Sequence, residues 1–161
     1  MIRTILYPTD LGLYGTFLLQ HVMALSEKYD AKVVAVHAVE PLGVFADAVL
    51  ETYIPDDMIH DLRQYGLPAV MDAIRQQVIE GFQDEFIDLN MSPGRVKDVK
   101  VVRGNPADVI IQQADEEKAD LIVMGSQGPD PEEAHVLGST VNKVLQRSKV
   151  PVYMVPVNTL Q

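Results

Sequence analysis

Short apolar runs alternate along this chain with stretches in which apolar residues recur every three or four positions. Residues 2–7 form a strand-like run that stops at Pro8-Thr9-Asp10. Over 14–29, Phe17, Leu18, Val22 and Leu25 recur at helical spacing, and Asp30 closes the segment. Residues 32–39 carry Val33, Val34, Ala35 and Val36, the β-branched pattern of a strand covered on both faces. From residue 40 to about 67, Pro41, Gly43, Pro55, Gly66 and Pro68 break any continuous element. Pro68 suits a first helical turn, and Val70, Ile74, Val78, Phe82, Phe86 and Leu89 then make one apolar stripe. Ser92-Pro93-Gly94 is a turn before a third strand over 96–103. A helix over 106–117 buries Ile110, Ile111 and Ala114. A fourth strand over 120–124, a helix over 140–147 and a fifth strand over 151–157 complete the pattern.

Strands alternating with helices predict an α/β fold, a five-stranded parallel sheet with helices on both faces. Periodicity leaves the strand order open. In such sheets ligands bind beyond the carboxyl ends of the strands, where strand order reverses. If the order is 3-2-1-4-5, the loops after strands one and four meet over one crevice. Those loops read Pro8-Thr9-Asp10 and Gly125-Ser126-Gln127-Gly128, the latter followed by Gly138-Ser139-Thr140. Glycines let backbone approach an anion and adopt positive φ, and N–H groups at a helix start hold phosphate. Ser139 or Thr140 would cap that helix or donate a hydroxyl. The same residues read equally well as turn formers and a plain helix cap.

Composition narrows the field further. The chain has 161 residues, 47% of them hydrophobic, enough to bury roughly 70% of the surface of the unfolded chain. One domain over 1–161 is expected, without disulfides, since there is no cysteine. That composition also excludes thiolate metal sites and cysteine nucleophiles. Thirteen Lys and Arg against 23 Asp and Glu give a net charge of −10, which argues against nucleic acid and anionic membrane as partners. No apolar run approaches 18 residues and no leader pattern opens the chain, so a soluble, cytoplasmic protein without membrane insertion is expected.

The spacing Gly125-x2-Gly128-x9-Gly138-Ser139 resembles the nucleotide-binding signature of the universal stress protein family. Ile5-Leu6-Tyr7-Pro8-Thr9-Asp10, Val36-His37-Ala38-Val39, Asp120-Leu121-Ile122-Val123-Met124-Gly125-Ser126 and Val150-Pro151-Val152-Tyr153-Met154-Val155 are similar to that family too, in the right order over nearly the whole chain. The resemblance implies a Rossmann-like fold, of the adenine nucleotide alpha hydrolase type, with strand order 3-2-1-4-5. It implies a stress-response regulatory module that binds an adenine nucleotide, ATP or AMP, with or without Mg²⁺. It also implies a homodimer built on the last strand, the stretch opening at Val150 and closing at Val157, which signals to a protein partner. Carried over residue by residue, Pro8, Thr9 and Asp10 hold the adenosine end and Ala38 lines the adenine pocket. Gly104 and Asn105 border ribose or adenine. Met124, Gly125, Gly128, Gly138, Ser139 and Thr140 contact ribose and phosphates.

The pattern is broken where members that bind ATP commonly carry a basic residue beside the second motif glycine. Gln127 and Pro129 stand there, followed by Asp130, Glu132 and Glu133, and position 141 is Val. An alternative is therefore a nucleotide-free dimeric interaction protein of the same fold, and a slow ATPase comes third. Other chemistry finds little footing. His21, His37, His60 and His135 share no metal-ligand spacing. His37 reads as a core histidine, whereas His135 lies in the glycine loop. Asp56, Asp57 and Asp61 read as a solvated face. Met23, Met58, Met71 and Met91 read as gap-fillers. No Gly-x-Ser-x-Gly elbow and no P-loop is present. Arg103-Gly104 and Val155-Pro156 stand where a response regulator would need its acceptor Asp and its Lys.

Overall fold

The computed structural model describes residues 1–12, 14–40, 67–127 and 137–157. Among them run β1 (Thr4–Pro8), α1 (Gly15–Tyr29), β2 (Lys32–Val39), α2 (Leu67–Asp88), β3 (Val96–Arg103), α3 (Pro106–Glu116), β4 (Leu121–Gly125), α4 (Ser139–Arg147) and β5 (Val152–Val155). The strands form one parallel sheet in the order β3-β2-β1-β4-β5, as the resemblance implies. In the register, Ile5 stands beside Val33 on one side and beside Leu121 on the other.

Side chains alternate across a strand, so a strand apolar at every position needs cover on both faces. Ile5, Tyr7, Val33, Ala35, Leu121 and Val123 face one core with Leu19 and Val22 of α1 and Phe82 and Phe86 of α2. Leu6, Val34, Val36, Ile122 and Met124 face the other, with Ile110 of α3 and Val141 and Val144 of α4. The α2 stripe buries Val78, Phe82 and Phe86 as the spacing predicts. On α3 the buried face turns slightly from the expected one. Ala107, Val109, Ile110 and Ala114 are buried while Ile111 packs at its margin.

Helix ends fix the loops that matter. α1 closes at Asp30 in the left-handed conformation, with the N–H groups at the cap returning to the Glu27 and Ser26 carbonyls. Asp120 anchors the start of β1, its carboxylate accepting the Arg3 and Thr4 N–H groups at 2.8 and 3.0 Å. Those donors hold its carboxyl below the ordinary range. Among the described residues no helix is long and apolar enough to cross a membrane.

Candidate functional site

Strand β1 ends at a proline, and the backbone beyond it stays tied to β2. The Thr9 N–H donates to the Val36 carbonyl at 2.9 Å, and His37 Nδ1 donates to the Thr9 carbonyl at 2.8 Å. Leu11 then takes a left-handed φ of 56°, an uncommon state for a branched residue. Two side chains hold it there. Thr9 Oγ1 accepts from the Leu11 N–H at 3.1 Å, and Asp10 Oδ1 accepts from the Gly12 N–H at 2.7 Å. These are local turns of the Asx and Ser/Thr kind, and they fix the β1–α1 loop.

The loop after β4 is anchored through Ser126, which is buried. Its N–H donates to Val155, its carbonyl accepts from Gly138 at 2.9 Å, and its hydroxyl oxygen accepts from the Val157 N–H at 3.0 Å. One serine thus ties the exit of β4 to the exit of β5 and to the start of α4. The cap position of α4 is Gly138, with no side chain capping it. This corrects the expectation of a hydroxyl cap: Ser139 and Thr140 lie inside the helix. The first N–H groups of a helix have no intrahelical acceptor, and among the described residues no side chain caps those of α4. The positive φ expected of the motif glycines is also absent at Gly138, where φ is −56°, and at Gly125. At Gly125 a Cβ would meet Leu18 at 3.4 Å, an ordinary contact.

Between these loops lies a cavity of about 570 Å³. Its wall brings together nine of the sequence-predicted residues: Pro8 at the end of β1 with Thr9 and Asp10 just beyond it, Ala38 from β2, Met124 and Gly125 from β4, and Gly138, Ser139 and Thr140 at the start of α4. Gly104 and Asn105 do not line it. Asn105 caps α3 instead, its Oδ1 accepting from Ala107 at 3.1 Å and Asp108 at 3.4 Å. Gly104, at φ +151°, makes the bend between β3 and that cap. Gly128 lies outside the described residues, as do Asp130, Glu132, Glu133, His135, His60, Met58, Asp56, Asp57 and Asp61.

Sequence reading did not place two titratable residues of this wall, His37 and Glu40, at the site. His37 is half-buried at the cavity rather than sealed in the core. A polar residue near the end of a buried strand was its only signal. Glu40, one residue past β2, lines the cavity too. Among the described residues no group of three or more His, Asp or Glu could hold a metal.

Beneath the β1–α1 loop sits a second polar cluster. Glu85 of α2 places one carboxylate oxygen against Gly15, and its buried Oε2 has no hydrogen-bond partner among the described residues. Burial, with Asp10 and Asp88 nearby, raises its pKa from 4.5 to about 7. The adjacent Tyr7 phenol, which donates weakly to the Gly15 carbonyl at 3.4 Å, is raised too, first by burial and then by Glu85.

The fold and the sequence have counterparts among known proteins. The family model for universal stress proteins matches residues 1–156. A universal stress protein of Thermus aquaticus is 29% identical over 157 residues, 96% of this chain and 99% of that one. One from Methanocaldococcus jannaschii is 25% identical over 158 residues, 96% and 95% of the two chains. The solved structure of that archaeal protein superposes with a TM-score of 0.68 over 99% of each chain. A universal stress protein crystallised in complex with cAMP shares the fold at a TM-score of 0.58 and 22% identity, covering 96% of this chain and 97% of that one. With its fold, its spaced glycines and the match over 1–156 in agreement, the chain belongs to the universal stress protein family.

Proposed function

We propose that this chain is a stress-response regulatory module that binds an adenine nucleotide, ATP or AMP, in the cavity between the β1 and β4 loops. The observation that carries this reading is the uncapped start of α4 facing Asp10 across the switch point. Free N–H groups and the hydroxyls of Ser139 and Thr140 suit a phosphate, and Asp10 suits the donor groups of an adenosine. A member of the same fold crystallised with cAMP supports the ligand class. We further propose a cytoplasmic homodimer that pairs through β5, its nucleotide occupancy signalling to a protein partner. Any Mg²⁺ would arrive with the phosphates. Hydrolysis is no part of the reading, because the described wall offers no cation for the transition state.

The second reading, a nucleotide-free dimeric interaction protein, draws on that same lack of cations. Native mass spectrometry of the purified protein, followed by calorimetry with ATP, ADP and AMP, separates the two. Micromolar to millimolar binding that Gly128→Val weakens supports the nucleotide reading. No heat with any of the three at millimolar concentration overturns it.

A further inference from the structure

The charges around the cavity are lopsided. Asp10 and Glu40 line it, and among the described residues no Lys or Arg does. Arg103, at the same end of the sheet, does not reach the wall. The chain between β4 and α4, residues 126–138, contains neither Lys nor Arg. Lys143 of α4 is exposed and does not line the cavity, and two other basic side chains are engaged elsewhere. Arg147 of α4 pairs with Asp108 at 2.7 Å, and Lys100 of β3 pairs with Glu117 and with Gln113. His37 spends its Nδ1 proton on the Thr9 carbonyl.

Of the two helix starts beside the cavity, α3 is already satisfied. Asn105 caps it, and Pro106, which does line the cavity, has no N–H to give. The anion-holding donors of the described wall are therefore neutral, and the start of α4 is the helix start among them that no side chain caps. Neutral donors can seat one phosphate. A second and third phosphate would share the space with carboxylates and meet no cation. Like charges within one cavity repel, and each added phosphate adds to that repulsion without a cation to offset it.

We propose that this cavity selects its nucleotide by charge, taking a purine nucleoside with one phosphate group or none and rejecting a metal-free polyphosphate. The inference rests on the nucleotide reading above and names its ligand class. Glu40, exposed one residue past β2 and lining the same cavity, is the selecting residue to vary, since Asp10 is assigned to the adenosine.

The test is calorimetry at pH 8, in EDTA and low salt, with four probes: adenosine, 3′,5′-cyclic AMP, AMP and ATP. ATP should bind at least about tenfold more weakly than AMP, a gap of about 1.4 kcal/mol. Half-molar NaCl should narrow the gap, because it shortens the screening length to a few ångströms. Glu40→Gln should narrow it several-fold at low salt. ATP binding as tightly as AMP in EDTA would overturn charge selection while leaving the nucleotide seat standing. A gap that Glu40→Gln and salt leave unchanged would overturn the role of the carboxylates. If none of the four probes binds, the seat and its selectivity fall together.

Discussion

The carboxylate of Glu85 rests against the Cα of Gly15, in the place where a side chain at position 15 would begin. The contact joins α2 to the first turn of α1, directly under the loop that carries Asp10. Alanine in a helix is ordinarily favoured over glycine by up to about 1 kcal/mol. Here that gain is set against displacement of the carboxylate, a flexible group that can swing outward. Gly15→Ala should therefore change stability by less than about 1 kcal/mol. It should also return Glu85 to ordinary titration, read by NMR of the side-chain carboxyl. A loss above 2 kcal/mol would mean that the carboxylate is locked in place.

Glu85 also sets a pH dependence. Its folded pKa, raised from 4.5 to about 7, means that the folded state holds a proton the unfolded state has released. The associated stability is fully present below pH 4.5 and is lost as pH rises to about 7. The carboxyl is only partly buried, so solvent screening reduces the effect to about 1 kcal/mol. Glu85→Gln should match the parent near pH 4.5 and exceed it by about that amount at pH 8, in urea titrations at both values. Equal stability at both would remove the raised titration.

Asn105 and Gly104 should affect folding rather than ligand. Asn105→Ala removes the α3 cap and should cost about 1 kcal/mol. Gly104→Ala forces a side chain into a φ of +151°, with its Cβ 3.0 Å from Val109, and should cost about 1–2 kcal/mol. Calorimetry on the folded variants should give the parent's AMP affinity. A tenfold loss in either would restore the ligand-bordering role first expected of them.

The β5 edge should hold the dimer. Tyr153 and Met154 are each more than a third exposed, and among the described residues no strand covers the outer edge of β5. Light scattering at about 50 µM should give a dimer, because an interface of standard size survives that dilution. Tyr153→Lys together with Met154→Lys should yield monomer. A parent protein that is monomeric there ends the proposal.

Mg²⁺ should matter for ATP and little for AMP. Replacing Asp130, Glu132 and Glu133 with Asn, Gln and Gln should strengthen metal-free ATP binding several-fold. Titrations with and without EDTA check it, and equal ATP affinities in parent and variant would relieve this loop of any role.

Periodicity was sufficient for the elements because both cores are built from it. Val33, Val34, Ala35 and Val36 announce a doubly covered strand, and Val78, Phe82 and Phe86 announce the face of α2. Strand order came with the family resemblance, since the pairing of Ile5 with Leu121 leaves no trace in local spacing. The cavity was legible as far as its loops were. The capping role of Asn105 was not legible because an N-cap and a ligand-bordering residue look alike in sequence. Glu85 escaped notice because its setting arises only when α2 packs across Gly15. His37 and Glu40 were passed over because exposure at a strand end depends on what the neighbouring loops leave open.

The adjacency of β1 and β4 has a consequence for how the protein is made. β1, β2 and β3 can assemble as soon as they leave the ribosome, but the partner for the other side of β1 is more than a hundred residues away. Until residue 121 emerges, Ile5, Leu6 and Tyr7 present an open apolar strand edge to the cell. Closing so long a loop delays completion of the sheet, and an unpaired edge is where nascent chains aggregate. Asp120, which grips the backbone of Arg3 and Thr4, is the residue that ends that interval.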